Sequence, residues 1–163
     1  MDLLRAHQIA RVVDVRTIPR SRRNPQFNRE TLAEALHGRR IHYTHLAALG
    51  GLRQARKDSL NTGWQNASFR GFADYMQTAE FEKGIEKLVN LAEKEQVAMM
   101  CAEAVPWRCH RSLVADALLV RGIAVYHITS PTRAEPHHLT TFARVKGTRI
   151  TYPSPLELSD AVS

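Results

Sequence analysis

Hydrophobic positions along the chain fall into short runs and helical stripes that alternate. Leu3, Leu4 and Ile9 read as the end of a helix that leads into IARVVDVR, where Val12, Val13 and Val15 form a β-branched run suited to a buried strand, with Asp14 and Arg16 near its C-terminal end. Asn28 is placed to cap a helix through TLAEALHG, with Leu32, Ala35 and Leu36 on one face and Gly38 as its stop. IHYTHL predicts a second strand. The text from Leu49 to Ser68 has glycines, polar residues and little periodicity, which predicts a long excursion of the kind that is usually functional or disordered. Phe72, Tyr75 and Met76 mark a short helix, and Phe81, Ile85, Leu88, Val89 and Ala92 mark a longer one, with Thr78 between them as a cap. VAMMCAE predicts the next strand. A helix carrying Leu113, Val114, Ala117 and Leu118 follows, ended by Gly122, and then the strand AVYHIT.

Strand, helix and strand at these lengths predict a βαβ unit with a right-handed crossover. The alternation as a whole predicts an α/β fold, layered α/β/α with a largely parallel sheet. At 163 residues the chain has the length of one domain, so residues 1–163 are expected to form a single unit. The stretch from Thr140 to Ser163 reads weakly, as at most one more strand and a frayed end. In such folds ligands bind beyond the C-terminal strand edges. Both the loop after Arg16 and the loop after Cys101 emerge there.

Charge narrows the class of partner. Lys and Arg total 23 against 16 Asp and Glu, a net +7, which favours anionic small molecules, nucleotides or nucleic acids. No apolar run is long enough to span a membrane and MDLLRAHQIA lacks a signal-peptide pattern, so no membrane association and a cytoplasmic location are expected. In that compartment the two cysteines are expected to be thiols rather than a structural disulfide.

Candidate chemistry gathers in two segments. RTIPRSRRNPQFNR carries arginines at 16, 20, 22, 23 and 29 with prolines at 19 and 25, a stiffened basic loop suited to gripping phosphate or to solvation. CAEAVPWRCHR joins Cys101, Glu103, Trp107, Arg108, Cys109, His110 and Arg111 at a strand end and a helix start, where unpaired N–H groups favour an anion or a thiolate. A thiol phosphatase loop fits poorly, because six residues separate Cys101 from Arg108 and they include Pro106 and Glu103. A metal site on Cys101, Cys109 and His110 lacks an assigned fourth ligand, with His37, His42, His45 and His127 as chance candidates. An acid–base site would use Asp14 or Glu103 for proton transfer, with Cys109 and His110 as further catalytic candidates and Arg16, Arg20, Trp107, Arg108 and Arg111 binding the substrate. The plain alternative makes Cys101 a small buried hydrophobe and leaves the charges solvated. Tyr43, His45, Trp64, Phe69 and Trp107 are candidates for base stacking, with Trp107 singled out for it and packing favoured for Tyr43 and Phe69.

DVRTIPRSRRNPQFN, then LGG with Arg53, then FRGFADYM, then MCAEAVPWRCHRSLVADALLVRGIAVYHI resembles the bacterial and archaeal family called domain of unknown function 488. The resemblance covers roughly residues 1 to 130. It implies an α/β protein whose motif residues come from DVR, here Asp14, Val15 and Arg16, and from the CAE and CHR segments, here Cys101, Ala102, Glu103, Cys109, His110 and Arg111. Family members typically open with a further strand, T-I-G-H-S or similar, before reaching DVR, so the resemblance implies a late start or a lost strand. The resemblance implies no settled activity. Three classes of function follow from the residues: an enzyme on a phosphate-bearing nucleotide or nucleic acid, which is the preferred reading; a noncatalytic nucleic-acid-binding or regulatory module; and a thiol or redox enzyme using Cys101 and Cys109. No dinucleotide, P-loop or EF-hand motif points to a cofactor, and no metal is assigned.

Overall fold

The computed structural model describes residues 2–20, 22, 24–101 and 109–154. Three strands, β1 (Arg11–Asp14), β2 (His42–His45) and β3 (Val97–Met100), form a parallel sheet in the order β2-β1-β3. Their register aligns Asp14 with His45 on one side and with Met100 on the other, so all three strands end in one row. That common C-terminal edge is where the chain leaves the sheet after Asp14 and His45, and where Cys101 follows β3.

Alternation along β1 builds two cores, one on each face. Val12 joins Ile9, Leu32, Leu36 and Ile41 under α2 (Arg29–Gly38). Val13 and Val15 face the larger cluster formed with α3 (Ala67–Tyr75), α4 (Ala79–Lys94) and α5 (Arg111–Leu119). These two helical layers around a parallel sheet are the expected α/β class. The caps follow their side chains: Asn66 accepts from Ser68 N and Phe69 N at the start of α3, and Thr78 accepts from Phe81 N at the start of α4. Gly38 is the last residue of α2 rather than its stop, and Arg40 beyond it takes the left-handed conformation at φ 62°. A short helix α1 (Asp2–Ala6) precedes β1.

The C-terminal third departs from expectation. β4 (Tyr126–Ser130) does not join the parallel sheet; it pairs antiparallel with β5 (Arg133–Pro136). The intervening turn is only two residues long, so the backbone groups of β4 are met by a local hairpin, and a cleft separates β4 from β3. The stretch after Thr140 is built into the core. β6 (Arg144–Lys146) and β7 (Arg149–Thr151) form a second hairpin that brings Ile150 and Tyr152 into the large cluster, Tyr152 fully buried. Among the described residues no helix is long and apolar enough to cross a membrane.

Candidate functional site at the sheet edge

Asp14 occupies the last position of β1 and is fully buried. Its carboxylate accepts from Arg16 N at 3.1 Å, Arg16 Nε at 2.9 Å, Arg16 Nη2 at 2.7 Å and Tyr43 Oη at 2.5 Å. Burial pushes the Asp14 carboxyl up, but the bonds from Arg16 and Tyr43 and the Arg16 charge together hold it below the ordinary carboxylate range. The same contacts raise Arg16, first through its hydrogen bond to Asp14. Burial, then the Asp14 carboxylate, raises Tyr43. Arg16 also donates to Phe27 O at 2.7 Å, fastening the basic loop back onto the sheet edge. This is a neutralised, four-donor network with no vacant proton acceptor among these bonds. It orders the loop, and it leaves Arg20, which is exposed, as the described arginine of 16–20 that reaches solvent.

His110, the cap residue of α5, joins three segments. Its Nε2 lies 3.0 Å from Val15 O and 2.8 Å from Leu49 O, both acceptors, which assigns the proton to Nε2. Burial holds His110 below the ordinary histidine value against the opposing pull of the two carbonyls, so the neutral ring presents a lone pair at Nδ1. That Nδ1 is 3.6 Å from Cys109 Sγ. Phe72 covers the ring at a centroid distance of 4.9 Å. A Cβ at Gly51 would come within 2.6 Å of Nδ1, and one at Gly50 would collide with the backbone of Thr17. The LGG segment therefore has a packing reason for both glycines, which the sequence alone marked only as loop.

Cys101 and Cys109, expected from the sequence as independent thiols, are brought sulfur to sulfur as a couple, with Cα atoms 7.5 Å apart. The reason is topological. The end of β3 and the start of α5 lie against each other at the sheet edge, so residues eight apart in sequence meet. Cys109 is buried and Cys101 half-buried. Cys109 Sγ accepts the Arg111 backbone N–H at 3.4 Å, one of the N–H groups that a helix start leaves without an intrahelical partner. Arg111 is half-buried at the same turn.

The structure thus gathers these residues at one sheet edge in two groups, Asp14 and Arg16 with Tyr43, and Cys109, His110 and the Arg111 N–H at the start of α5, while Arg20 stands apart on the loop. Glu103, Trp107 and Arg108 lie outside the described residues. The sequence favours packing for Tyr43, yet its hydroxyl donates to Asp14; His45 is tied by Nε2 to Arg16 O at 2.7 Å. Trp64 and Phe69 pack on each other and on the C-terminal Phe142 and Tyr152, which accounts for them without a base to stack on. Among the described residues no group of three His, Cys, Asp or Glu side chains converges as a metal site.

The family model for Domain of unknown function DUF488 matches residues 1–118, and the chain belongs to that family. No curated protein and no solved structure shows a significant match.

Proposed function

We propose that this chain is a thiol–disulfide enzyme in which Cys101 and Cys109 cycle between the disulfide and the dithiol. One observation carries the reading: Cys109 Sγ sits on the Arg111 N–H at the start of α5, with the His110 Nδ1 lone pair beside it. A helix start stabilises negative charge, so it favours Cys109 as a thiolate, both as a leaving group and as a nucleophile. A substrate thiolate attacks Cys101, the more exposed partner; a new S–S bond forms to Cys101, the Cys101–Cys109 bond breaks, and Cys109 departs as the thiolate. A second substrate thiol, deprotonated, then attacks the mixed disulfide. It releases substrate disulfide and leaves both cysteines reduced, two electrons having passed to the protein. In the reverse direction His110 Nδ1 takes the Cys109 thiol proton. Asp14, Arg16 and Tyr43 are positioning residues that fix the sheet edge, and the net charge of +7 favours an anionic thiol or disulfide as partner.

Turnover of an anionic thiol such as glutathione against a small disulfide tests this. Cys101→Ser should abolish turnover, and Cys109→Ser should halt at a mixed disulfide on Cys101. Equal residual activity in both variants and the native protein counts against the reading.

A second reading, an enzyme on a phosphate-bearing nucleotide or nucleic acid, draws support from exposed Arg20 on a loop fastened through Arg16 to Phe27 O. It uses Arg20 and Arg111 as anion clamps, with Glu103 as the acid–base group because Asp14 is committed to Arg16 and Tyr43. The noncatalytic nucleic-acid module shares that surface and predicts affinity that falls steeply with salt. Salt-insensitive binding of a short single strand, or none, removes both.

A further inference from the structure

A second buried aspartate anchors a chain of hydrogen bonds that the sheet-edge chemistry does not use. Asp116, in α5, is fully buried. Its carboxylate accepts from Thr140 N at 3.2 Å, Thr140 Oγ1 at 2.7 Å and Tyr152 Oη at 2.8 Å, and meets His137 Nε2 at 2.7 Å. His137 Nδ1 in turn lies 2.8 Å from His127 Nε2. Acceptors fix the protons. The carboxylate requires N–H at His137 Nε2, so a neutral His137 offers a lone pair at Nδ1, which requires N–H at His127 Nε2. The lone pair of neutral His127 is thereby left at Nδ1. An Asp–His–His relay of this kind stabilises a proton arriving on its last member.

His127 lines the cleft between β3 and β4, about 420 Å³ in volume, whose walls include Val97, Met99, Leu118, Val125 and Ile128. Arg111 lines the same cleft and supplies a positive charge near His127. Burial first, and the Arg111 charge after it, hold His127 below the ordinary histidine value, so it is unprotonated at neutral pH. Glu135 pulls weakly the other way, while His7 and Glu95, also in the cleft, are bonded to Ser130 O and Arg11.

We propose that the cleft between β3 and β4 is a second ligand site, for a small acid with an apolar body, in which His127 takes the acid's proton and Arg111 holds the resulting anion. The O–H bond of the ligand breaks, an N–H bond forms at His127 Nδ1, and both charges stay in the cleft; no oxidant or cofactor is needed. Val97, Met99, Leu118, Val125 and Ile128 favour an apolar body on the ligand, while His127 and Arg111 meet its acid group.

4-Nitrophenol reports the proton transfer directly, since only its anion is yellow. At a pH below its own ionisation, the native protein is expected to generate the yellow anion saturably, and 4-nitroanisole, which has no proton to give, should bind about tenfold or more weakly. His127→Gln should abolish the colour, and Arg111→Met should weaken binding about tenfold or more. Binding without colour, or equal binding of the ether, overturns the proposal using native protein alone. Nitrogen-15 shifts of the native histidines add a test that needs no variant: His127 is expected as the Nε2–H tautomer, and Nδ1–H contradicts the relay.

Discussion

Two aspartates, Asp14 and Asp116, are equally buried and each is met by four hydrogen bonds, yet they organise different chemistry. Asp14 ends in a guanidinium from its own loop, a partner that stays charged at every physiological pH, so its network is closed. Asp116 ends in an imidazole that passes the hydrogen bond to a second imidazole at a cleft. Burial therefore does not decide what a carboxylate does. The titratability of its partner does: the first aspartate fixes geometry beside the paired cysteines, and the second sets the tautomer of a base.

The sharpest break of this comparison is Asp14→Ala, which strands the Arg16 charge in a site only 7% exposed. A loss of about 3–5 kcal/mol is expected, measured by denaturant unfolding. Asp116→Asn should cost less, about 2–3 kcal/mol, because only the donors from His137, Thr140 and Tyr152 lose their acceptor charge. Its loss should also be local. Amide exchange is expected to quicken over 137–152 while β1 and β3 stay protected. Gly51→Ala should cost about 1–3 kcal/mol by pushing a methyl into the His110 ring, read as a lowered thermal midpoint.

The smallest effect is in pH. His110 and His127 are both held below the ordinary histidine value, so the unfolded chain binds more protons than the folded one as pH falls. Stability should be fully present above about 6.5 and decline as pH drops through the depressed folded values. His110→Gln and His127→Gln should each flatten that decline, with the larger share from His110, the more deeply buried ring.

Much of the fold was legible because its signals are local. The β-branched run at Val12, Val13 and Val15, the Thr78 cap and the apolar stripe of α4 all specify structure within a few residues. That the ends of β1 and β3 share one edge followed from α/β logic, whereas the place of His45 beside Asp14 did not. What escaped the sequence depends on distant pairing. Tyr43 shows no sign of its partner 29 residues away, and neither Asp116 nor His137 shows that Tyr152 and Thr140 will return to them. The weak hydrophobicity of the C-terminal stretch hid Ile150 and Tyr152, which are core residues flanked by exposed charges in a short hairpin. The approach of Cys101 to Cys109 has no local signal either, because it depends on a strand end and a helix start meeting at the sheet edge.

The most direct test of the account is the ionisation of Cys109 in Cys101→Ser, followed by the ultraviolet absorbance of the thiolate as pH is raised. The helix start and the Arg111 N–H predict a midpoint well below the ordinary thiol value of about 8.5. A midpoint at or above that value contradicts the account, because burial would then outweigh the helix and Cys109 would be an inert core thiol.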